Sequence, residues 1–434
     1  MAGQLRIDIR EDESGLYFES ARLDKESGGH LVKHRPAREP DWDAAQAEVK
    51  AIFDRAFGGN QGWCDSLREW GGRAFTDYIP EGIQKELKDL GQGSVTWVLC
   101  STRAAAFPWE LAHDGEDFLL RKYACGRLLQ GGQSKSRAGP NRSGSILLLS
   151  DLTGDLPEAY REGRELCAFL EQDTGLALQT ETRYSRPQLL TEAGRDAVME
   201  EMQKHEIVHF CGHSQFTGRG QDSGWRLSHD ELLNLADMMD LGRYPEVPQL
   251  IFSNSCSSGE QPLQAEEALS GIAGAFLSAG VSGYIGAICR VEDSHAHDFA
   301  RRFYQTLGNG RGHAANLHKV QRETPLEDPA WAVYRYYGDP VKKSIEVPHP
   351  HLSFPAKAGN LQSLTCTGAN SCRDSQGLQK TDSRKKTAAV LLVLLVIAVL
   401  LGFLFYKKMS TGKLKQNFIY IEGNSASPVD SLKR

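Results

Sequence analysis

The chain has 434 residues, of which 40% are hydrophobic and 24% charged, with a formal net charge of −6. That balance is ordinary for a globular protein and excludes disorder as the main state. Mild acidity, with no basic stripe interleaved with aromatics, excludes a nucleic-acid footprint, so no nucleic-acid partner is expected.

The first elements read as β. In "QLRIDIR", Leu5, Ile7 and Ile9 face one way, and "GLYFESARL" supplies a second strand, so the pair predicts a β-hairpin. "DWDAAQAEVKAIFDRAF" has helical spacing, with Asp43 as a candidate N-cap. "SVTWVLC" is another strand, and "FPWELAHDGEDFLLRKYACGRLL" adds a helix start and a hairpin-like continuation. Together they make an N-terminal α+β region over residues 1–130. The stretch that follows, "QGGQSKSRAGPNR", has the composition of a flexible connection.

From Ser143 the pattern changes to strands and helices in alternation. "SILLLSD" is a buried strand, "LPEAYREGRELCAFLEQ" an amphipathic helix and "LALQTETR" a strand. "RPQLLTEAGRDAVMEEMQK" predicts a helix, "EIVHF" a strand, "DELLNLADMM" a helix and "PQLIFSNSC" a strand. "AEEALSGIAGAFLSAG" is a helix and "VSGYIGAICRV" a strand, with helices at "SHAHDFARRFYQTL" and "GHAANLHKVQRE". Continuous apolar strands separated by helices predict a mostly parallel sheet covered on both faces, an α/β body over residues 143–343. Residues 344–386 turn rich in Pro, Ser, Gly and Lys and read as a linker.

Residues 387–406, "TAAVLLVLLVIAVLLGFLFY", carry no charge and are flanked by "SRKK" and "YKK". As a helix they would span roughly 30 Å, the hydrocarbon thickness of a bilayer. Their Val, Leu, Ile and Phe residues favour insertion by on the order of 4 to 8 kcal/mol. The opening stretch "MAGQLRIDIREDESG" is charged early and lacks a signal-peptide pattern. The expectation is a tail-anchored protein with its large domain in the cytoplasm and a short tail, 407–434, beyond the membrane.

Nine cysteines, an odd number without a CxxC pair, argue for reduced thiols and against a disulfide framework or a zinc site. No metal or cofactor is expected. Two of the strands nevertheless end on chemistry. "HEIVHFCGHS" brings His213 to the carboxyl end of the Ile207–Phe210 run, and "PQLIFSNSC" brings Cys256 to the end of Leu250–Phe252. In open α/β sheets, ligands and catalytic side chains collect at such ends. The two residues are 43 positions apart with one helix between them, so adjacent parallel strands would bring them together. A thiolate is a nucleophile, and a nearby imidazole lowers the thiol pKa and carries the proton to the leaving amine. The alternative is a buried cysteine and a hydrogen-bonded histidine in a sheet protein. His209, inside its strand, reads as structural.

Several motifs in order resemble the CHAT domain, a relative of caspases and separase: "HFCGHS", "LIFSNSC", "LSGIAGAFLSAGVSGYIGAICRVEDSHAHDFARRFYQTLGNG" and "PAWAVYRYYGDP", with "FPWELAHDGEDFLLRKYACGRLL" upstream. The resemblance covers roughly residues 60–340. The chain has "NSCSSG" where caspases have QACRG, and "AICRVED" where a tryptophan is common. The resemblance implies a caspase-like sheet, His213 as general base, Cys256 as nucleophile, and an oxyanion hole from the backbone N–H groups of Ser214 and Cys256. Each such donor is worth on the order of 3 kcal/mol in acyl transfer. Asp293, in a position where separase-like relatives receive a basic P1 side chain, is the substrate-binding candidate, with Asp222 second. For Asp293 the competing role is the N-cap of "SHAHDFARRF", a job Ser294 also suits.

Taken together, these features lead to the expectation of a membrane-anchored cysteine endopeptidase cutting a partner protein after Arg or Lys, in bacterial defence or regulated cell death. A gasdermin-like pore former is one such partner. The competing expectation is a non-catalytic caspase-like scaffold or receptor that binds a protein at the membrane.

Overall fold

A computed structural model describes residues 3–23, 32–129, 144–176, 187–215, 217, 220–257, 263–289, 291–307 and 311–342. The expected linker at 344–386 and the expected membrane span at 387–406 lie outside them. No helix of the described residues is long and apolar enough to cross a membrane. Residues Met1–Ser353 form one compact unit.

Twelve strands are described: β1 (Gly3–Asp12), β2 (Gly15–Arg22), β3 (Gly93–Leu99), β4 (Tyr123–Leu129), β5 (Ile146–Ser150), β6 (Gln188–Leu190), β7 (Ile207–Gln215), β8 (Gly224–Arg226), β9 (Leu232–Asn234), β10 (Leu250–Ser257), β11 (Gly283–Ala287) and β12 (Tyr334–Gly338). They join in one sheet, ordered β2-β1-β3-β4-β12-β11-β10-β7-β5-β6, with β8 and β9 continuing from β7. The N-terminal strands and those after residue 143 therefore share a single sheet. β1 and β2 form the expected antiparallel hairpin, and β12 runs antiparallel to β11. The centre, β11-β10-β7-β5, is parallel throughout. Its strands carry nearly unbroken apolar runs because helices cover both faces.

Side-chain alternation sorts the two faces. On one, Phe210 stacks on Trp225 with centroids 4.1 Å apart, and Trp225 packs on Phe276 of the helix Leu263–Ala279. On the other, Phe252 packs against Phe303 and Tyr304 of the helix Asp293–Thr306. The helix Pro157–Leu176 packs on this second face against β5 and β7. It is the face that carries the site.

Several boundaries differ from those the sequence predicts. The first helix begins at Trp42 because Asp41, not Asp43, is its cap, accepting from the Ala44 N–H at 3.2 Å. The stretch "RPQLLTEAGRDAVMEEMQK" divides: Gln188–Leu190 is drawn into the sheet beside β5, and the helix is only Arg195–Met202. "DELLNLADMM" divides too, because Asn234 forms a capping box with Asp237 and starts the helix at Leu235, leaving Leu232–Asn234 as a strand. Most of the expected strand "LALQTETR", from residue 177 onward, lies outside the described residues.

Candidate active site

The site begins with the register of β7 and β10. Parallel pairing sets Phe252 opposite His209, Asn254 opposite Cys211 and Cys256 opposite His213. Neighbouring strands are about 4.8 Å apart, and every second residue returns to the same face. Positions 209, 211 and 213 therefore run along one face of β7, beside 252, 254 and 256 on β10. The row passes from the packed interior at 209 to the strand ends at 213 and 256.

There a groove of about 380 Å³ opens, lined in part by His213, Gly212, Asn254, Ser255, Glu162 and Asp293. The His213 side chain is a quarter exposed, and its Nε2 lies 3.1 Å from Asp155 Oδ1. Asp155 belongs to the turn after β5. Asp151 shapes that turn at φ 49°, accepting from the Leu156 N–H at 2.9 Å. The Asp155 carboxyl is held below the usual carboxylate range, first by the Thr153 hydroxyl, which donates to it, and then by His213.

Of the two acidic candidates, Asp293 lines the groove and Asp222 is not among the lining residues. Asp222 lies between β7 and β8, its backbone carbonyl accepting from the Gln215 amide at 3.0 Å. Asp293 is the first residue of its helix. The residue in the cap position is Glu292, with no side-chain capping bond, so neither Asp293 nor Ser294 fills that role. Ser214, the expected oxyanion donor, is buried and paired on both sides, with Ser257 of β10 and Trp225 of β8.

Below the groove, His209 is wholly buried. Its ring stacks on Phe252 with centroids 5.1 Å apart, and its Nδ1 lies 3.1 Å from the Tyr304 hydroxyl. Cys211 is buried as well, and burial, reinforced by Glu162, pushes its thiol well above the ordinary value. A thiol so placed is a poor nucleophile.

Sequence reasoning missed Asp155, Glu162, Asn254 and Tyr334, which donates its hydroxyl to Asn254 Oδ1 at 2.8 Å. The rule that picked out His213 also reaches Asp155, since "SILLLSD" is a buried strand and "LTGDLP" is the turn at its carboxyl end. The other three are visible only once helix and strands are assembled.

The CHAT domain family matches residues 69–339. No curated protein sequence matches the chain. Among solved structures, the Saccharomyces cerevisiae separase–securin complex is similar at a TM-score of 0.49 and 11% identity, over 77% of this chain and 30% of the separase chain. A protease is similar at 0.37 and 11% identity, over 70% of this chain and 77% of its own. A secreted C11 cysteine protease from Bacteroides thetaiotaomicron, bound to an irreversible peptide inhibitor, is similar at 0.25 and 9%, over 41% and 57%. The chain thus spans less than a third of the separase chain's length.

Proposed function

The chain belongs to the CHAT domain family, matched over residues 69–339, and on that footing we propose that it is a cysteine endopeptidase with His213 and Cys256 as its dyad. The observation that carries this reading is the strand register, which pairs 256 with 213 at the mouth of a groove. His213 takes the thiol proton, and the Cys256 thiolate attacks the scissile carbonyl. The N–H groups of Ser214 and Cys256 receive the developing oxyanion. The imidazolium then protonates the departing amine, and water hydrolyses the thioester. Asp155 holds the imidazole through Nε2 from the solvent side.

Asp293, exposed at the groove's edge, is the P1 recognition group. A carboxylate there suits the planar fork of an arginine or the ammonium of a lysine. The substrate is a partner protein. The apolar stretch 387–406 tethers the enzyme to a membrane as a tail anchor with the catalytic unit cytoplasmic, raising its local concentration near a membrane-acting substrate. A gasdermin-like pore former in a defence or cell-death programme fits that arrangement.

The test is chemical. With an arginine-based acylating probe on the full chain, Cys256 is labelled faster than the other eight thiols, and His213→Ala abolishes that labelling. Uniform labelling of accessible thiols would instead identify a non-catalytic scaffold. A fluorogenic panel varying only P1 then reads the preference for Arg or Lys.

A further inference from the structure

Beneath the groove lies a side-chain cluster that peptide-bond hydrolysis does not use. Glu162, His209 and Cys211 each offer one ligand atom, and the three atoms lie within 4.8 Å of one another. His209 Nε2 is 3.0 Å from Cys211 Sγ and 3.2 Å from Glu162 Oε1. All three residues are buried, at 0%, 1% and 7% exposure for His209, Cys211 and Glu162.

The partners of the Glu162 carboxylate are the His209 ring, the Cys211 thiol and the Asn254 amide, with no lysine or arginine among the described residues. A carboxylate this deep is ordinarily paired with a cation or bound to a metal, because an isolated ion loses its hydration. The histidine is also held as metal-bound histidines are. Its Nδ1 is tied to the Tyr304 hydroxyl and its ring is stacked on Phe252, which aims Nε2 at the thiol and the carboxylate. An entry path exists as well, since Glu162 and Asn254 both line the groove.

We propose that Glu162, His209 and Cys211 form a binding site for one thiophilic divalent metal ion, Zn²⁺ above all, with a fourth coordination position open toward the groove. Thiolate, imidazole and carboxylate together suit zinc and disfavour Mg²⁺ and Ca²⁺, which take oxygen ligands. Zinc bonds of about 2.0 to 2.3 Å in a tetrahedron space the ligand atoms about 3.4 to 3.6 Å apart. The His–Glu gap of 3.2 Å and the His–Cys gap of 3.0 Å need to widen by only a few tenths of an ångström. On ligation the thiol proton leaves to solvent, and the thiolate and carboxylate together neutralise the ion. Glu162 exchanges the Asn254 amide for the metal, so occupancy acts directly on the groove floor. The proposal departs at this one place from the expectation of reduced thiols, a structural His209 and no metal.

The proposal does not depend on the peptidase reading, and the experiment keeps them apart by working in a full-length Cys256→Ala background. The protein is stripped with a chelator and titrated with Co²⁺. The expected result is a thiolate-to-cobalt charge-transfer band with tetrahedral d–d absorption, saturating at one ion per chain and displaced by Zn²⁺. Cys211→Ser, close in volume, removes the charge-transfer band, and Glu162→Gln weakens Co²⁺ binding by about tenfold or more. X-ray absorption at the zinc edge needs no variant in the cluster and is expected to show one sulfur among nitrogen and oxygen neighbours. Absence of the band, its survival in Cys211→Ser, or a zinc shell with no sulfur or with several would each overturn the site.

Discussion

Gly212 lies between Cys211 and His213, on the face of β7 opposite the imidazole, and a single methyl group there tests how the site is positioned. A Cβ at this position would stand 2.8 Å from Phe210 Cζ and 3.2 Å from Cε2, where ordinary contact begins at 3.4 Å. The Phe210 ring has nowhere to go. It lies on Trp225 with centroids 4.1 Å apart and planes 7° from parallel, and both residues are fully buried. No left-handed φ is involved, so the penalty of Gly212→Ala is steric, about 1 to 3 kcal/mol for an overpacked interior. The deficit of 0.6 Å against that 3.4 Å limit passes into the strand next to His213. Since a misplacement of about 1 Å costs roughly a hundredfold in rate, about half of it should slow acylation of Cys256 by roughly tenfold. Urea unfolding measures the stability, and the arginine-based probe measures the labelling rate. Adding Phe210→Leu, which removes the obstructing ring tip, should recover part of the labelling rate. A Gly212→Ala protein that melts and labels as the parent does would refute the claim that the packed aromatic face sets the position of His213.

Three other outcomes are expected. Glu110→Gln strands Arg127, whose guanidinium is bidentate to Glu110 at 2.7 and 2.6 Å in a fully buried site, and should cost about 3 to 5 kcal/mol by urea unfolding. Burial alone would raise the Glu110 carboxyl, but Arg127 and Arg335 hold it below its ordinary value. Its stabilisation is therefore complete above the unfolded value of about 4.3 and lost as pH falls through the lower folded value, so Glu110→Gln should flatten that acid limb of the stability profile. Asp155→Asn removes a carboxylate–imidazole contact whose carboxylate is about half exposed, worth about 0.2 to 1 kcal/mol, so kcat/KM should fall by less than about fivefold; a hundredfold loss would contradict that screening. Asp293→Asn should lower the ratio of Arg to Ala turnover at P1 while leaving labelling of Cys256 by a small alkylating agent unchanged, and an unaltered ratio would remove Asp293 from the pocket.

Much of the fold was legible because its central strands are apolar runs that admit one assignment. "SILLLSD" and "PQLIFSN" could hardly be anything but buried strands, and the helices between them forced parallel neighbours. The short segments were less legible. Gln188–Leu190 and Leu232–Asn234 lie in windows with helical spacing, and they became strands because β5 and β8 stood ready to pair with them. Local periodicity carries no information about a waiting sheet edge.

What the amino-acid order determined by itself was the position of His213 and Cys256 just past apolar runs, since the change from strand formers to turn formers is a local property of the chain. What tertiary structure alone decided was their partnership in register, the arrival of Asp155 from a third strand end, and the buried trio of Glu162, His209 and Cys211. The contacts of Glu162 with His209 and of Asp155 with His213 join residues 47 and 58 positions apart, brought together only when helix and sheet surfaces pack to exclude water.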